Sequence, residues 1–210
     1  VVAINILVSV IKLGLSAQYV TKNAAPRAVY EAVLTGTLRK TEIGNLFSGT
    51  GAYVNTKANV FDMLIVDEAH RLNEKSGMYR NQGENQIKEI INASKSSVFF
   101  LDEDQRVTWQ DIGRKAEIER WALECGAKIS YLELTSQFRC NGSDGYLAWL
   151  DRALQIRDTA NANLEGLDYE FKVVDSPNEL RELILEKNKE KNRARLVAGY
   201  CWDWVSKNHP

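Results

Sequence analysis

Histidine and cysteine are scarce in this chain, and each shortage excludes a chemistry. Only two histidines, His70 and His209, and three cysteines, Cys125, Cys140 and Cys201, occur in 210 residues. The cysteines lack metal-ligand spacing, so neither a zinc site nor a Ser/His or Cys/His hydrolase is supported. An odd number of cysteines fits a reducing cytoplasm better than a disulfide framework. Excess charge is missing too: 27 basic against 28 acidic residues leave a formal net charge of −1. No global basic field draws the chain to nucleic acid, so such binding needs a local patch. The apolar start, Val1 to Ile11, is too short to span a bilayer and lacks the charged head of a signal peptide, so no membrane is expected as a partner. Finally, no glycine is followed by lysine. The phosphate-binding loop Gly-x-x-x-x-Gly-Lys-Ser/Thr is therefore absent. Ser48-Gly49-Thr50-Gly51 runs into Ala52-Tyr53 instead, with no clear buried strand before it, and reads as a loop.

What is present is the alternation of an α/β protein. A hydrophobic content of 44% is ordinary for a soluble globular chain. Apolar runs alternate with helical patterns, which argues for βαβ units and a parallel sheet flanked by helices. The periodicity predicts helices at 2–13, 25–35, 84–94, 114–126, 143–157 and 177–190. It predicts strands at 16–21, 61–67, 97–102, 129–134, 169–174 and 195–200. Gly14 suits the end of the first helix. Residues 36–60 and the polar stretch 73–83 read as less regular. A boundary near Gly126 to Lys128 divides the chain into 1–127 and 128–210. Trp149, Trp202 and Trp204 read as core residues rather than base-stacking platforms.

Four stretches carry chemistry. Met63-Leu64-Ile65-Val66 is a fully buried strand by composition, and it ends in Asp67-Glu68. Open α/β sheets bind ligands at that edge. One carboxylate there can hold Mg²⁺ bound to nucleotide phosphates, and its neighbour can polarise a water. The run Ser97-Val98-Phe99-Phe100-Leu101 also ends in polar groups, Asp102-Glu103-Asp104-Gln105. The Gln105 amide can donate to a phosphate oxygen and accept from water at once. Tyr131 to Thr135 leads into Ser136-Gln137-Phe138-Arg139-Cys140, which presents a guanidinium with fixed charge and forked donors. Upstream, Ala17-Gln18-Tyr19-Val20 leads into Thr21-Lys22-Asn23-Ala24-Ala25-Pro26-Arg27. Asn23 can cap a helix there and Pro26 suits its first turn. Exposed amides with Lys22 and Arg27 would suit phosphate contacts.

In their order and spacing, these stretches and the late Ala198-Gly199-Tyr200-Cys201-Trp202-Asp203-Trp204 resemble the Schlafen group 3-like DNA/RNA helicase domain family, a superfamily 1 helicase-like group of P-loop ATPases. The resemblance implies a RecA-like sheet with the start of a second RecA-like lobe. It implies ATP and Mg²⁺ as cofactors and DNA or RNA as partner. Val66-Asp67-Glu68-Ala69-His70 resembles a Walker B box, with Asp67 on Mg²⁺ and Glu68 orienting water. Gln105 would sense the γ-phosphate, although Leu101-Asp102 stands where the usual pattern has Gly-Asp. Arg139 would reach the γ-phosphate from the second lobe. Thr21, Lys22, Asn23 and Arg27 match the turn that touches the nucleic-acid backbone. In such proteins the first helix directly follows the P-loop, and two further motifs lie in the second lobe. The chain is therefore expected to be a fragment lacking the Walker A loop and those late motifs, and inactive alone. Two alternatives stay open: a nucleotide-dependent switch in defence or signalling without unwinding, and a non-catalytic α/β interaction module.

Overall fold

The computed structural model describes residues 2–36, 39–106, 108–134, 144–167 and 169–197. It comprises two units, Val1–Glu133 and Leu134–Pro210.

In the first unit, helix α1 (Val2–Lys12) leads to strand β1 (Ala17–Thr21), helix α2 (Ala24–Leu34), helix α3 (Lys40–Leu46) and the two-residue strand β2 (Phe47–Ser48). Strand β3 (Phe61–Asp67), helix α4 (Gln86–Ala93), strand β4 (Ser94–Phe99) and helix α5 (Lys115–Glu124) follow. The four strands form one sheet in the order β2-β1-β3-β4, and every pairing is parallel. This is the helix-flanked parallel sheet expected of a RecA-like lobe. Among the described residues, no helix is long and apolar enough to cross a membrane.

The alternation of β3 explains its central place. Leu64 and Val66 face one way, into a core with Val20, Leu72, Ile87, Ile90 and Trp121. Ile65 faces the other way, among Ala3, Leu7, Val10, Tyr19, Ile43 and Phe47. Both faces are covered, so a continuous apolar run is the only stable composition for this strand. Helix α1 ends at Gly14, whose φ of 77° is left-handed and suits a residue without Cβ. Asn85 caps α4, its Oδ1 accepting from Ile87 N at 2.9 Å. Helix α2 has no fully buried residue, and Tyr30 ties it to the sheet by stacking on Phe47 with centroids 5.6 Å apart.

The amino end of the sheet is closed by Asp62. Ser16 donates to Asp62 Oδ2 from its N–H at 2.8 Å and from its hydroxyl at 2.9 Å. Lys95 Nζ donates to Oδ1 at 2.7 Å. One carboxylate thus joins the entries of β1, β3 and β4.

In the second unit, helices α6 (Asp144–Ala153) and α7 (Pro177–Lys191) are formed. Ser176 caps α7 by accepting from Glu179 N at 3.2 Å, and Pro177 opens the helix. Trp149 is half-buried in a ring cluster with Tyr146, Tyr169 and Phe171, the last of them exposed. Trp202 and Trp204 lie outside the described residues.

Six local expectations need correction. Residues 129–134 and 169–174 are not strands, and neither are the described residues of the stretch 195–200. A strand exists only when a neighbour pairs with it, and alternation cannot supply the neighbour. The Tyr131 hydroxyl donates to Glu119 on α5 at 2.7 Å instead, while Leu132 is 98% exposed. The stretch 36–60, expected to be irregular, contains α3 and β2. Phe47 is buried against Tyr19, so a short strand does precede Ser48-Gly49-Thr50-Gly51. Strand β4 begins at Ser94, three residues earlier than expected, because Ser94 already pairs with Phe61.

The Asp62 clasp makes a prediction about acid. The Lys95 ammonium first, then the Ser16 N–H and hydroxyl, hold the Asp62 carboxyl at about 2, below its ordinary 3.8. A depressed carboxyl pKa contributes stability that is complete above the unfolded value and fades as pH falls towards the folded one. Asp62→Asn is therefore expected to lower the urea midpoint at neutral pH. The gap from wild type is expected to close between pH 4 and pH 2, a window set by the two values of this carboxyl. Urea titrations of both proteins across that range measure it.

Candidate functional site

Because all four strands are parallel, their carboxyl ends open on one edge. Register makes this concrete: Thr21 lies beside Asp67, Val20 beside Ser48, and Val66 beside Phe99. The segments beginning at Thr21, Gly49, Asp67 and Phe100 therefore leave the sheet side by side. Strand pairing continues past β4, with Phe100 N donating to Val66 O at 2.8 Å and Ala69 N to Phe100 O at 2.8 Å.

Asp67 is held on both oxygens. The Tyr19 hydroxyl donates to Oδ2 at 2.5 Å, and Glu68 N donates to Oδ1 at 3.1 Å. Burial above all, then the hydrogen bond to Asp67 and its charge, push the Tyr19 hydroxyl well above its usual pKa. Tyr19 is therefore a fixed neutral donor that orients the carboxylate. Each Asp67 oxygen keeps a second lone pair for a cation or water. Among the described residues, no group of three or more His, Cys, Asp or Glu side chains gathers to hold a metal ion.

Glu68 follows in a left-handed backbone conformation, φ 54° and ψ 45°. This costs a non-glycine residue about 1–2 kcal/mol. The turn Ala69–Arg71 begins there, with Arg71 N donating to Glu68 O at 2.9 Å. The left-handed residue breaks the strand and turns the next segment back over the sheet. Glu68 Oε2 lies 3.0 Å from Nε2 of the buried His70, with the Glu68 side chain 34% exposed. His70 Nδ1 is buried without a hydrogen-bond partner, so Nε2 is the nitrogen positioned to carry the proton. The segment is closed from outside by Gly113, where a Cβ would sit 1.8 Å from the Ala69 carbonyl oxygen. Ile112 N donates to Leu72 O at 2.8 Å beside it.

The other expected site residues have these places. Gln105 ends the turn Glu103–Gln105, exposed, with Nε2 donating to Asp102 Oδ2 at 2.7 Å. Thr21 is fully buried and accepts from Asn23 N at 3.3 Å. Asn23 stands at the cap position of α2 but makes no side-chain cap bond. Arg27 lies partly buried under Gly49, whose missing Cβ would sit 3.7 Å from Nη1; its Nε is buried without a partner. Lys22 Nζ donates to Asn73 Oδ1 at 3.0 Å and to Asp111 Oδ1 at 3.1 Å. Arg139 lies outside the described residues, with Gln137, Phe138 and Cys140. The sheet edge thus brings together Thr21, Lys22, Asn23, Asp67 and Glu68, with Gln105 at the end of the turn that follows β4.

Sequence reasoning missed Tyr19, Asp111 and Gly113. Asp111 is 1% exposed. Its Oδ2 accepts from Thr108 N at 3.0 Å and lies 3.2 Å from Arg71 Nε, an ion-pair distance without hydrogen-bond alignment. No local pattern marks Asp111, because the two cations that pair with it, Lys22 and Arg71, both lie far upstream in the chain. Gly113 carries a weak signal, a glycine shortly before a helix.

The family model for the Schlafen group 3, DNA/RNA helicase domain matches residues 1–210. The chain belongs to this family. The assignment makes it a helicase-type, nucleic-acid-related domain. The chain is also similar to Uncharacterized protein YPL245W of Saccharomyces cerevisiae, 26% identical over 158 residues. That match covers 66% of this chain and 35% of the yeast protein, so the chain spans about a third of that relative. No solved structure matches the chain.

In this helicase-family domain, Gly113 is predicted to be needed for the turn after Glu68. Gly113→Ala forces a Cβ into the Ala69 backbone and is expected to cost about 1–3 kcal/mol or more. Gly44→Ala, in α3 with nothing within 4 Å of the added Cβ, is expected to stabilise by about 0.5–1 kcal/mol. Chemical denaturation of the two variants beside wild type measures both.

Proposed function

We propose that the chain belongs to a helicase-like ATPase that hydrolyses ATP with Mg²⁺ and acts on DNA or RNA. One observation carries the reading. The parallel sheet brings an acidic pair, Asp67 and Glu68, to the same edge as the turn Thr21 to Arg27 and the turn that ends in Gln105. Ligands of open α/β sheets sit at such an edge.

Asp67 is the residue for Mg²⁺. A lone protein carboxylate suits this ion, which completes an octahedral shell with substrate phosphates and water rather than with a protein cage. Held there, Mg²⁺ would supply positive charge to offset the negative charge of the substrate phosphates. Tyr19 keeps Asp67 aimed outward from the sheet. Glu68 orients or activates the attacking water, its reach fixed by the left-handed backbone and by His70. Gln105 contacts the γ-phosphate, and Arg139 supplies transition-state charge. Lys22, Asn23 and Arg27 form the contact with the nucleic-acid backbone, while the buried Thr21 holds the turn from beneath through the Asn23 N–H. A cytoplasmic location fits the cysteine usage.

Two substitutions in the full-length protein test these roles. Glu68→Gln keeps the size of the side chain but not its basicity, and is expected to lower ATP turnover by roughly a hundredfold or more with ATP affinity retained. Phosphate release and nucleotide Kd measured together check it; turnover at the parental rate removes Glu68 from its role. Arg139→Ala is expected to lower kcat by roughly a thousandfold or more, the scale of an arginine finger, with a much smaller change in Kd. Arg139→Lys is expected to restore little, because an ammonium lacks the planar fork. An unchanged kcat in the alanine variant removes Arg139 from the site.

A further inference from the structure

Lys22 follows the buried Thr21 at the end of β1, and its ammonium points inward rather than out. It is bonded to Asp111 Oδ1 at 3.1 Å and Asn73 Oδ1 at 3.0 Å, with 28% of its side chain exposed. Asp111 draws together three segments of the sheet edge. Lys22 comes from the turn after β1. Arg71 comes from the turn that Glu68 opens, and Thr108 from the segment that follows Gln105. The loop carrying Asp111 is further fastened by Arg106, whose Nε donates to Asp111 O at 3.2 Å.

A carboxylate with no exposed side-chain surface needs cations, since an unpaired buried charge is strongly unfavourable. Among the described residues, Lys22 and Arg71 are cations that approach this one. One of them can leave without stranding the charge. Lys22 is the one fitted to leave. Its ammonium is a point charge on a flexible stem, and it stands in the turn assigned to the nucleic-acid backbone; exposure does not separate the two cations, at 28% and 26% of the side chain. Arg71 is fixed instead by the turn that starts at Glu68.

We propose that Lys22 is exchanged between the buried Asp111 carboxylate and a nucleic-acid phosphate, so that Asp111 latches the nucleic-acid turn to the segment carrying Glu68. The inference rests on the nucleic-acid reading of the β1 turn given above. Without nucleic acid, Asp111 holds the three segments together and withholds a positive charge from the surface. A phosphate backbone competes for that charge. When Lys22 transfers, Asp111 keeps Arg71 as its cation, and the pull is felt three residues from Glu68. The latch makes binding weaker than the basic residues of the turn would give, and it connects the two ligands physically.

The test is binding of fluorescently labelled oligo(dT) and oligo(U) by the full-length protein across a salt series. Asp111→Asn frees Lys22, and affinity for whichever probe the wild type binds is expected to rise by roughly fourfold near physiological salt. The salt slope is expected to stay that of the wild type, because the wild-type complex already holds the Lys22–phosphate contact and only the cost of releasing Lys22 is removed. Lys22→Gln is expected to weaken binding and flatten the slope by about 0.7, the counter-ion release of one phosphate contact on a single strand. In the Lys22→Gln background, adding Asp111→Asn is expected to change neither quantity. Unchanged or weaker binding by Asp111→Asn overturns the latch while leaving the nucleic-acid reading intact. A gain that survives in the double variant overturns it too, because the freed charge is then not that of Lys22. A wild type that binds neither probe overturns the latch together with the nucleic-acid reading. Should Asp111→Asn fail to fold, Lys22→Gln alone decides, and an unchanged salt slope there refutes the exchange.

Discussion

A central strand that is apolar on both faces can place its polar residues only at its ends, and this constraint organises the first unit. β3 carries Asp62 at its entry and Asp67 at its exit, with Leu64, Ile65 and Val66 buried between them. At the entry, Asp62 gathers Ser16 and Lys95 into a clasp across three strands. At the exit, Asp67 takes the Tyr19 hydroxyl from the neighbouring strand. The same parallel pairing that buries the middle of β3 therefore fixes the carboxylates at both of its ends. The acidic pair at the exit has nowhere else to go than the edge where the other strands also end.

Beyond that edge, local strain is balanced by tertiary contacts. Glu68 occupies a backbone conformation costly for any residue with a Cβ. It is kept there by Ala69 bonding to Phe100, by Gly113 pressed on the Ala69 carbonyl, and by Leu72 bonding to Ile112. All of these partners lie between β4 and α5. The stretch that contains Gln105 at its start thus ends by bracing Glu68, with Asp111 between them reaching back to Lys22. Ion pairing inside this brace replaces the exposed basic turn that a sequence reading implies for Lys22. A residue type suited to phosphate is, in this conformation, satisfied internally.

The two ends of the chain show how differently legibility can run. α1, α2, β1 and β3 lie within a residue or so of where periodicity placed them, because α1, β1 and β3 bury apolar residues in the core and punctuation such as Gly14 and Pro26 marks the helix limits. The acidic turns after β3 and β4 were legible for the same reason: an apolar run followed at once by carboxylates is a buried strand reaching the surface. Residues 129–134 and 169–174 have equally good strand composition and form no strand. Their alternation describes a surface that could be half-buried, whereas pairing requires a partner backbone. Phe47 shows the converse, since two residues too few to make a pattern become a strand because β1 lies beside them.

By itself, then, the sequence determined the types of α1, α2, α4, α5, β1, β3 and β4, the acidic pair Asp67 and Glu68 at a strand exit, and the helicase-domain family to which the chain belongs. These are local or collinear properties, written in the order of neighbouring residues. Only the tertiary structure decided that Tyr19 holds Asp67, that His70 meets Glu68, that Gly113 closes on Ala69, and that Asp111 captures Lys22 and Arg71. The distant contacts depend on strand register, and a shift of one residue would turn each side chain to the opposite face of the sheet. Register is set by the packing of the whole sheet against its helices, which no short stretch of sequence contains.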